Sequence, residues 1–280
     1  MSYKTILLHL DDAPRREERL ALAFEMAERF DAHLVGLYVP VTPFVPSYAL
    51  AEAGPAVVEI ETRRRASALE AAEAVFRAAS SRHRAVKCEW RRGYGDPVTA
   101  LCTSARYADV VIAGQPELKG EEANRLPAGF AGDLVLAAGR PVIFVPYAGR
   151  FPTVGKRVLV AWNAGREAAR ALRDALPLLK GAAQVDIVAF DPGRGGAQHG
   201  ELPGADIGLF LARHGVKVTV SQQSGTTLDV GAQILSRAAD LSADLIVMGA
   251  YGHSRVREQI LGGATRTLLE AMTVPVLMSH

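Results

Sequence analysis

The stretch best able to do chemistry is GAYGHSRVREQILGGATRT, Gly249 to Thr267. Gly249 and Gly252 stand three apart, nine residues follow, and Gly262-Gly263 then open a helix-forming run, Thr-Arg-Thr-Leu-Leu-Glu-Ala. Glycines let a backbone come close to a ligand and take φ > 0 without steric cost. The first N–H groups of a helix point outward, and its dipole favours an anion there. This chemistry is that of a phosphate cradle. The plainer alternative is a tight strand-to-helix connection whose glycines only permit turns. Arg266 falls in the first turn of the helix, where a cation is disfavoured by roughly 0.3–1 kcal/mol unless an anion is near. That favours a phosphate guest.

A cradle needs a strand before it and a helix after it, and the chain supplies both. Asp244-Leu-Ile-Val-Met248 is continuous and apolar, as a strand buried on both faces reads. The same alternation runs throughout. Strands are expected at 5–10, 34–39, 87–90, 108–114 and 141–146, with helices at 15–30, 56–80 and from Pro97, and a loop from Pro40 to Pro55. After a linker at 147–155 the plan restarts. Strands are expected at 157–161, 185–190, 216–220, 243–249 and after Pro275, with helices at 167–179, 207–213 and 228–240. Strand alternating with helix argues parallel sheets covered on both sides.

The two halves repeat one another. Ala108-Asp-Val-Val-Ile-Ala-Gly114 matches Ala243-Asp-Leu-Ile-Val-Met-Gly249 in residue type, and a Pro opens the last apolar strand of each half. Matched order and spacing mean an internal duplication. The halves differ at the cradle. After Gly114 come Gln-Pro-Glu-Leu-Lys, with no second glycine three residues on, and Pro116 removes a donor. Conversely Asp11 ends the first strand of half one, where half two has the uncharged Asn163.

Gly249-x-x-Gly252, nine residues, Gly262, set in this repeat, resembles the nucleotide loop of the universal stress protein family. The resemblance covers nearly the whole chain, as two family domains at 1–148 and 154–280. It implies α/β, doubly wound, Rossmann-like domains, each with a mainly parallel five-stranded sheet, related by a pseudo-twofold axis. Family members with one domain dimerise through their last strands. A tandem chain would imitate that dimer internally, as a monomer or within a homodimer. The resemblance further implies a stress-response regulator that binds ATP, possibly with Mg²⁺, in its second half, with an unidentified protein partner and little or no turnover. The implied pocket draws on Ala161, Trp162, Asn163, Ala189, Phe190, Gly249, Gly252, His253, Gly262, Gly263, Ala264 and Thr265. The family has Ser or Thr where this chain has Gly263; Thr265, two residues on, can turn its hydroxyl inward. A nucleotide-free interaction protein of the same fold and a slow ATPase are the alternatives.

Composition narrows the field. The chain has 280 residues, 49% hydrophobic and 22% charged, with a net charge of +2. That describes a globular protein with no electrostatic call for nucleic acid or a membrane surface. No apolar run nears the ~20 residues needed to span a bilayer. MSYKTILLHLDD lacks a signal peptide's apolar core, and Cys88 and Cys102, the only cysteines, read as reduced thiols; a cytoplasmic protein is expected. Gly149 to Lys156 mimics a P-loop, but its glycines are misspaced and a strand follows. Gly193-Arg-Gly195-Gly196 lacks the third glycine of a dinucleotide fingerprint. The seven histidines show no metal-ligand spacing, and no nucleophile elbow or carboxylate pair is visible. No catalytic residue is assigned.

Overall fold

The first strand, β1 (Thr5–Leu10), sends alternate residues to opposite faces of one sheet: Ile6, Leu8 and Leu10 into one apolar core, Leu7 into another. This two-sided burial explains why such strands read as unbroken apolar runs. The computed structural model describes residues 2–13, 16–40, 47–116, 126, 127, 129–192, 203–225, 227–252 and 263–280, without the side chains of 47–57.

In half one, β1 is followed by α1 (Arg16–Phe30), β2 (His33–Tyr38), α2 (Ser47–Arg82), β3 (Cys88–Arg92), α3 (Pro97–Ala105), β4 (Val110–Gly114), α4 (Phe130–Ala137) and β5 (Val142–Val145). Half two holds β6 (Arg157–Trp162), α5 (Arg166–Asp174), α6 (Leu176–Lys180), β7 (Gln184–Phe190), α7 (Ala205–Arg213), β8 (Val218–Gln223), α8 (Val230–Asp240), β9 (Leu245–Gly249), α9 (Ala264–Ala271) and β10 (Val276–Ser279). Two expectations change. The loop expected at 40–55 is helical from Ser47 onward: Ala49, Leu50, Ala51, Glu52 and Ala53 are strong helix formers, and the helix carries Gly54-Pro55 within it; residues 41–46 lie outside the described residues. The helix expected at 167–179 is two, broken before Leu176-Pro177, since proline fits only a first turn.

Each half carries the expected five parallel strands, in the order 3-2-1-4-5 and its counterpart. The two sheets are joined edge to edge into one of ten strands, β3-β2-β1-β4-β5-β10-β9-β6-β7-β8. The joint is the antiparallel pair β5/β10, with Ile143 opposite Leu277 and Val276 opposite Phe144. Ile143 and Leu277 are the same position of the two repeats, so the pseudo-twofold axis passes through that pair. The pairing removes two sheet edges that would otherwise invite association.

The repeated Ala-Asp has a structural role. Asp109 Oδ2 accepts the backbone N–H groups of Lys4 and Thr5 at 2.6 and 2.9 Å. Asp244 Oδ1 accepts those of Gly155, Lys156 and Arg157 at 2.9–3.0 Å. Each carboxylate thus satisfies the donors that lead into the first strand of its own half.

Candidate functional site

In half two, strand order reverses between β6 and β9, which are adjacent and parallel although β7 and β8 extend the sheet on the other side of β6. Open α/β sheets take ligands in the crevice beyond the carboxyl ends of strands at such a point. Ala161 and Trp162 end β6 there, flanked by Ala189-Phe190 of β7 and Met248-Gly249 of β9. Ala161, Ala189 and Phe190 are buried; Trp162 is half-buried. Asn163 is exposed, and its Oδ1 accepts the Gly165 N–H at 3.0 Å, closing the turn into α5. Asp11 does the same for Ala13 at 3.1 Å in half one. Part of what holds an Asx residue at this position is therefore local turn chemistry.

The glycines divide by role. A methyl group on Gly249 would lie 2.4 Å from the Ala168 backbone nitrogen. Helix α5 lies against the end of β9 and leaves no room for a side chain. A methyl group on Gly252 would meet only the tip of Glu167, at 3.1 Å, and the Asn163 amide at 3.7 Å. Gly252 therefore sits exposed above the crevice, beside Asn163. Between them Tyr251 has φ 56°, and Ala164 in the neighbouring turn has φ 57°. Left-handed backbone at non-glycine residues is strained and concentrates at functional sites.

Gly263 is the N-cap of α9 and offers no side chain to its open N–H groups. Thr265 is 2% exposed, and its Oγ1 accepts the Tyr251 N–H at 3.2 Å. That hydroxyl fastens the glycine turn to α9. Ala264 opens the helix, half-buried. Arg266 has its counter-charge at hand in Glu270, at 2.7 Å, so its place in the first turn needs no phosphate. His253 and Gly262 lie outside the described residues.

Two site residues escaped sequence reasoning. Glu167, whose side chain is 6% exposed, faces Gly252 and holds Arg166 at 2.5 Å. Burial pushes its carboxyl up, but the hydrogen bonds from Arg166 and from its own backbone N–H, with the charges of Arg166 and His280, together outweigh this, and the group lies below the usual glutamate range. Asp191, 7% exposed, accepts from the buried Gln233 Nε2 at 2.9 Å beside β7. Where Glu167 abuts the glycine that ends β9, Arg19 abuts the glycine that ends β4, a reversal of charge between the halves. A cleft of about 290 Å³ lined by Arg166, Glu167, Arg170 and His280 adjoins the turn.

Half one is built differently. Arg19 Nη2 and Nη1 reach the two oxygens of Asp11 at 2.5 and 3.3 Å, and both residues are buried. The guanidinium fills the space where Gly114 lacks a side chain, since a methyl there would lie 1.8 Å from Nη1. The crevice residue of this half is neutralised by the protein itself. His9, fully buried against Phe130, has neither ring nitrogen hydrogen-bonded among the described residues. Burial lowers its pKa to about 4, with Asp11 opposing and Arg19 assisting. Folding thus excludes the proton that the unfolded chain binds below pH 6.5. This contribution is complete above pH 6.5 and is lost as pH falls toward 4, by roughly 3 kcal/mol. Urea unfolding of the wild type and His9→Leu at pH 7 and 4.5 should show a steeper acid loss in the wild type. Equal losses would refute this.

The halves also touch at the site. A methyl on Gly132 of α4 would lie 2.4 Å from the Tyr251 hydroxyl, and Gln115 Nε2 donates to the Leu269 carbonyl of α9 at 2.9 Å. Among the described residues no three His, Cys, Asp or Glu could hold a metal ion, and no helix is long and apolar enough to cross a membrane.

Comparison with known proteins follows this geometry. The model of the universal stress protein family matches residues 2–146 and again 155–280. A universal stress protein from Archaeoglobus fulgidus DSM 4304 is similar over 98% of this chain and 95% of its own, with 18% identity and a TM-score of 0.70. A putative universal stress protein from Pseudomonas aeruginosa UCBPP-PA14 is similar over 99% and 93%, with 15% identity and a TM-score of 0.57. A universal stress protein from Archaeoglobus fulgidus in complex with dAMP matches 51% of this chain and 98% of its own, with 18% identity and a TM-score of 0.32. A search of curated proteins finds no match.

Proposed function

We propose that this chain, which belongs to the universal stress protein family, is a stress-response regulator that binds an adenine nucleotide, ATP, in its second half with little or no turnover. One observation carries the reading. The exposed Gly252 turn stands at the β6/β9 switch point and is tied through Thr265 to α9, whose N-cap, Gly263, brings no side chain of its own. Backbone donors and a helix dipole at a strand crevice suit phosphate. The division into domains at 1–148 and 154–280 is part of the proposal, as is a binding stoichiometry of one. Half one brings Pro116 where a loop donor is needed, and its crevice carboxylate is held by Arg19.

The nucleotide-free interaction protein remains the second reading, and a specific observation favours it. Gly249, Asn163 and Thr265 each have a structural task that needs no ligand.

Calorimetry with ATP, ADP, AMP and dAMP, each with Mg²⁺, separates the two. One nucleotide per chain is expected. Gly263→Ser restores a hydroxyl worth about 0.5–1.5 kcal/mol and should tighten ATP several-fold. If neither protein binds at millimolar nucleotide, the interaction reading holds. Two equivalent sites would show that half one is competent.

A further inference from the structure

We propose that a second copy of this chain docks along the free edge of β8, antiparallel and across a twofold axis at Val220, so that two ten-stranded sheets become one.

The joint of β5 with β10 leaves β3 and β8 as the outer strands of the sheet. An outer strand is a template for pairing unless charges, proline or a bulge blunt it. β3, Cys-Glu-Trp-Arg-Arg, is blunted by Glu89, Arg91 and Arg92. β8, Val-Thr-Val-Ser-Gln-Gln, holds no charge, no proline and no glycine. Its middle stands in the open: Thr219, Val220 and Gln222 are exposed.

The backbone register decides what that edge offers. The Gln223 carbonyl accepts the Asp191 N–H at 2.8 Å, so the backbone of Gln223 faces β7. Alternate residues of a strand turn their N–H and C=O groups to opposite sides. Thr219, Ser221 and Gln223 therefore bond to β7, and Val218, Val220 and Gln222 turn their groups outward. These outward residues are spaced symmetrically about Val220. Antiparallel pairing centred there sets Val220 against Val220 of the second copy, and Val218 against its Gln222. Each such pair exchanges both of its hydrogen bonds. Lys217, the charge next to the strand, falls opposite Gln223 of the second copy, so no like charges meet. An isologous contact needs this self-complementarity, and it favours a second copy over an unrelated partner.

Helix α7 extends the match beyond the backbone. A methyl on Gly204 or Gly208 would lie 2.9 or 2.8 Å from the Val220 γ-methyls, so the helix presses directly on the edge strand. Ala205 and Ala212, one turn either side of Gly208, are exposed, as is Leu209 between them. Across the axis, two such uncharged flanks border the Val220 pair. One strand and one flank per copy give a contact near the low end of stable interfaces, about 1,200 Å², so the dimer should be reversible.

Sedimentation velocity of the full chain across the micromolar range tests this. The wild type should show a monomer–dimer equilibrium with a Kd on the order of ten micromolar. Val220→Lys sets two ammonium groups face to face and should weaken association by about tenfold or more, as should Val220→Glu alone. An equimolar mixture of the two variants should dimerise about tenfold better than either by itself, which misfolding could not produce. Gln222→Pro removes an outward N–H and none of the bonds to β7. It should abolish the dimer while leaving the melting temperature nearly unchanged. A wild type that stays monomeric, a dimer that persists in Val220→Lys and Gln222→Pro, or a mixture no better than its components would overturn the proposal.

Discussion

Arg19→Ala is expected to cost about 3–5 kcal/mol of stability, because it strands Asp11 as a buried, uncompensated charge. Asp11 is 2% exposed and Arg19 3%. The guanidinium bridges both carboxylate oxygens and fills the space beside Gly114. Deleting it removes packing and the counter-charge together, whereas an exposed pair would be worth at most about 1 kcal/mol. Pairing the substitutions as Asp11→Asn with Arg19→Met should recover more than half of the loss. Asn keeps the turn bond to Ala13, as Asn163 keeps its bond to Gly165. Urea unfolding midpoints and slopes for the three proteins give the comparison. A cost below about 1 kcal/mol for Arg19→Ala would show that water reaches Asp11.

Gly249→Ala should destabilise by roughly 1–3 kcal/mol or more, as overpacking does in a filled core. The added methyl would stand 2.4 Å from Ala168 N and 2.6 Å from Glu167 C, both backbone atoms of α5. Those atoms move only if the helix moves, and α5 packs along β9 and β10 beside the joint between the halves. Gly252→Ala is the control. Its methyl meets the end of the Glu167 side chain at 3.1 Å, which can give way. The control should lose less than about 1 kcal/mol. Thermal unfolding of both variants decides the matter, and equal losses would show that the two glycines are kept for one shared reason.

Much of the architecture was legible because it depends on local regularities. The run Leu245 to Met248 had to be a doubly covered strand, since every side chain in it is apolar. The helix from Pro97 was readable, and Asp96 does cap α3 by accepting the Thr99 N–H at 2.8 Å. The loop expected before Pro55 failed because its residues leave the choice between coil and helix to the context. At the site, the family resemblance implied a pocket with both Asn163 and Gly252, but it gave no reason for Gly249. A glycine kept for a ligand and one kept for a neighbouring helix are the same letter. Glu167 passed unnoticed because its significance is a distance to Gly252, eighty-five positions away in the chain.

By itself, the sequence determined the duplication, the alternation of strands and helices, the parallel order within each half and the location of the single complete glycine spacing. These rest on periodicity and on spacing, which survive in one dimension. Only the tertiary structure decided that the two sheets become one through Ile143 and Leu277, that Arg19 occupies the first crevice, and that the Glu167 carboxylate faces Gly252 at the second. Each of these depends on which side chains meet across long separations. Burial then fixes what a charge there costs, and no local pattern encodes that.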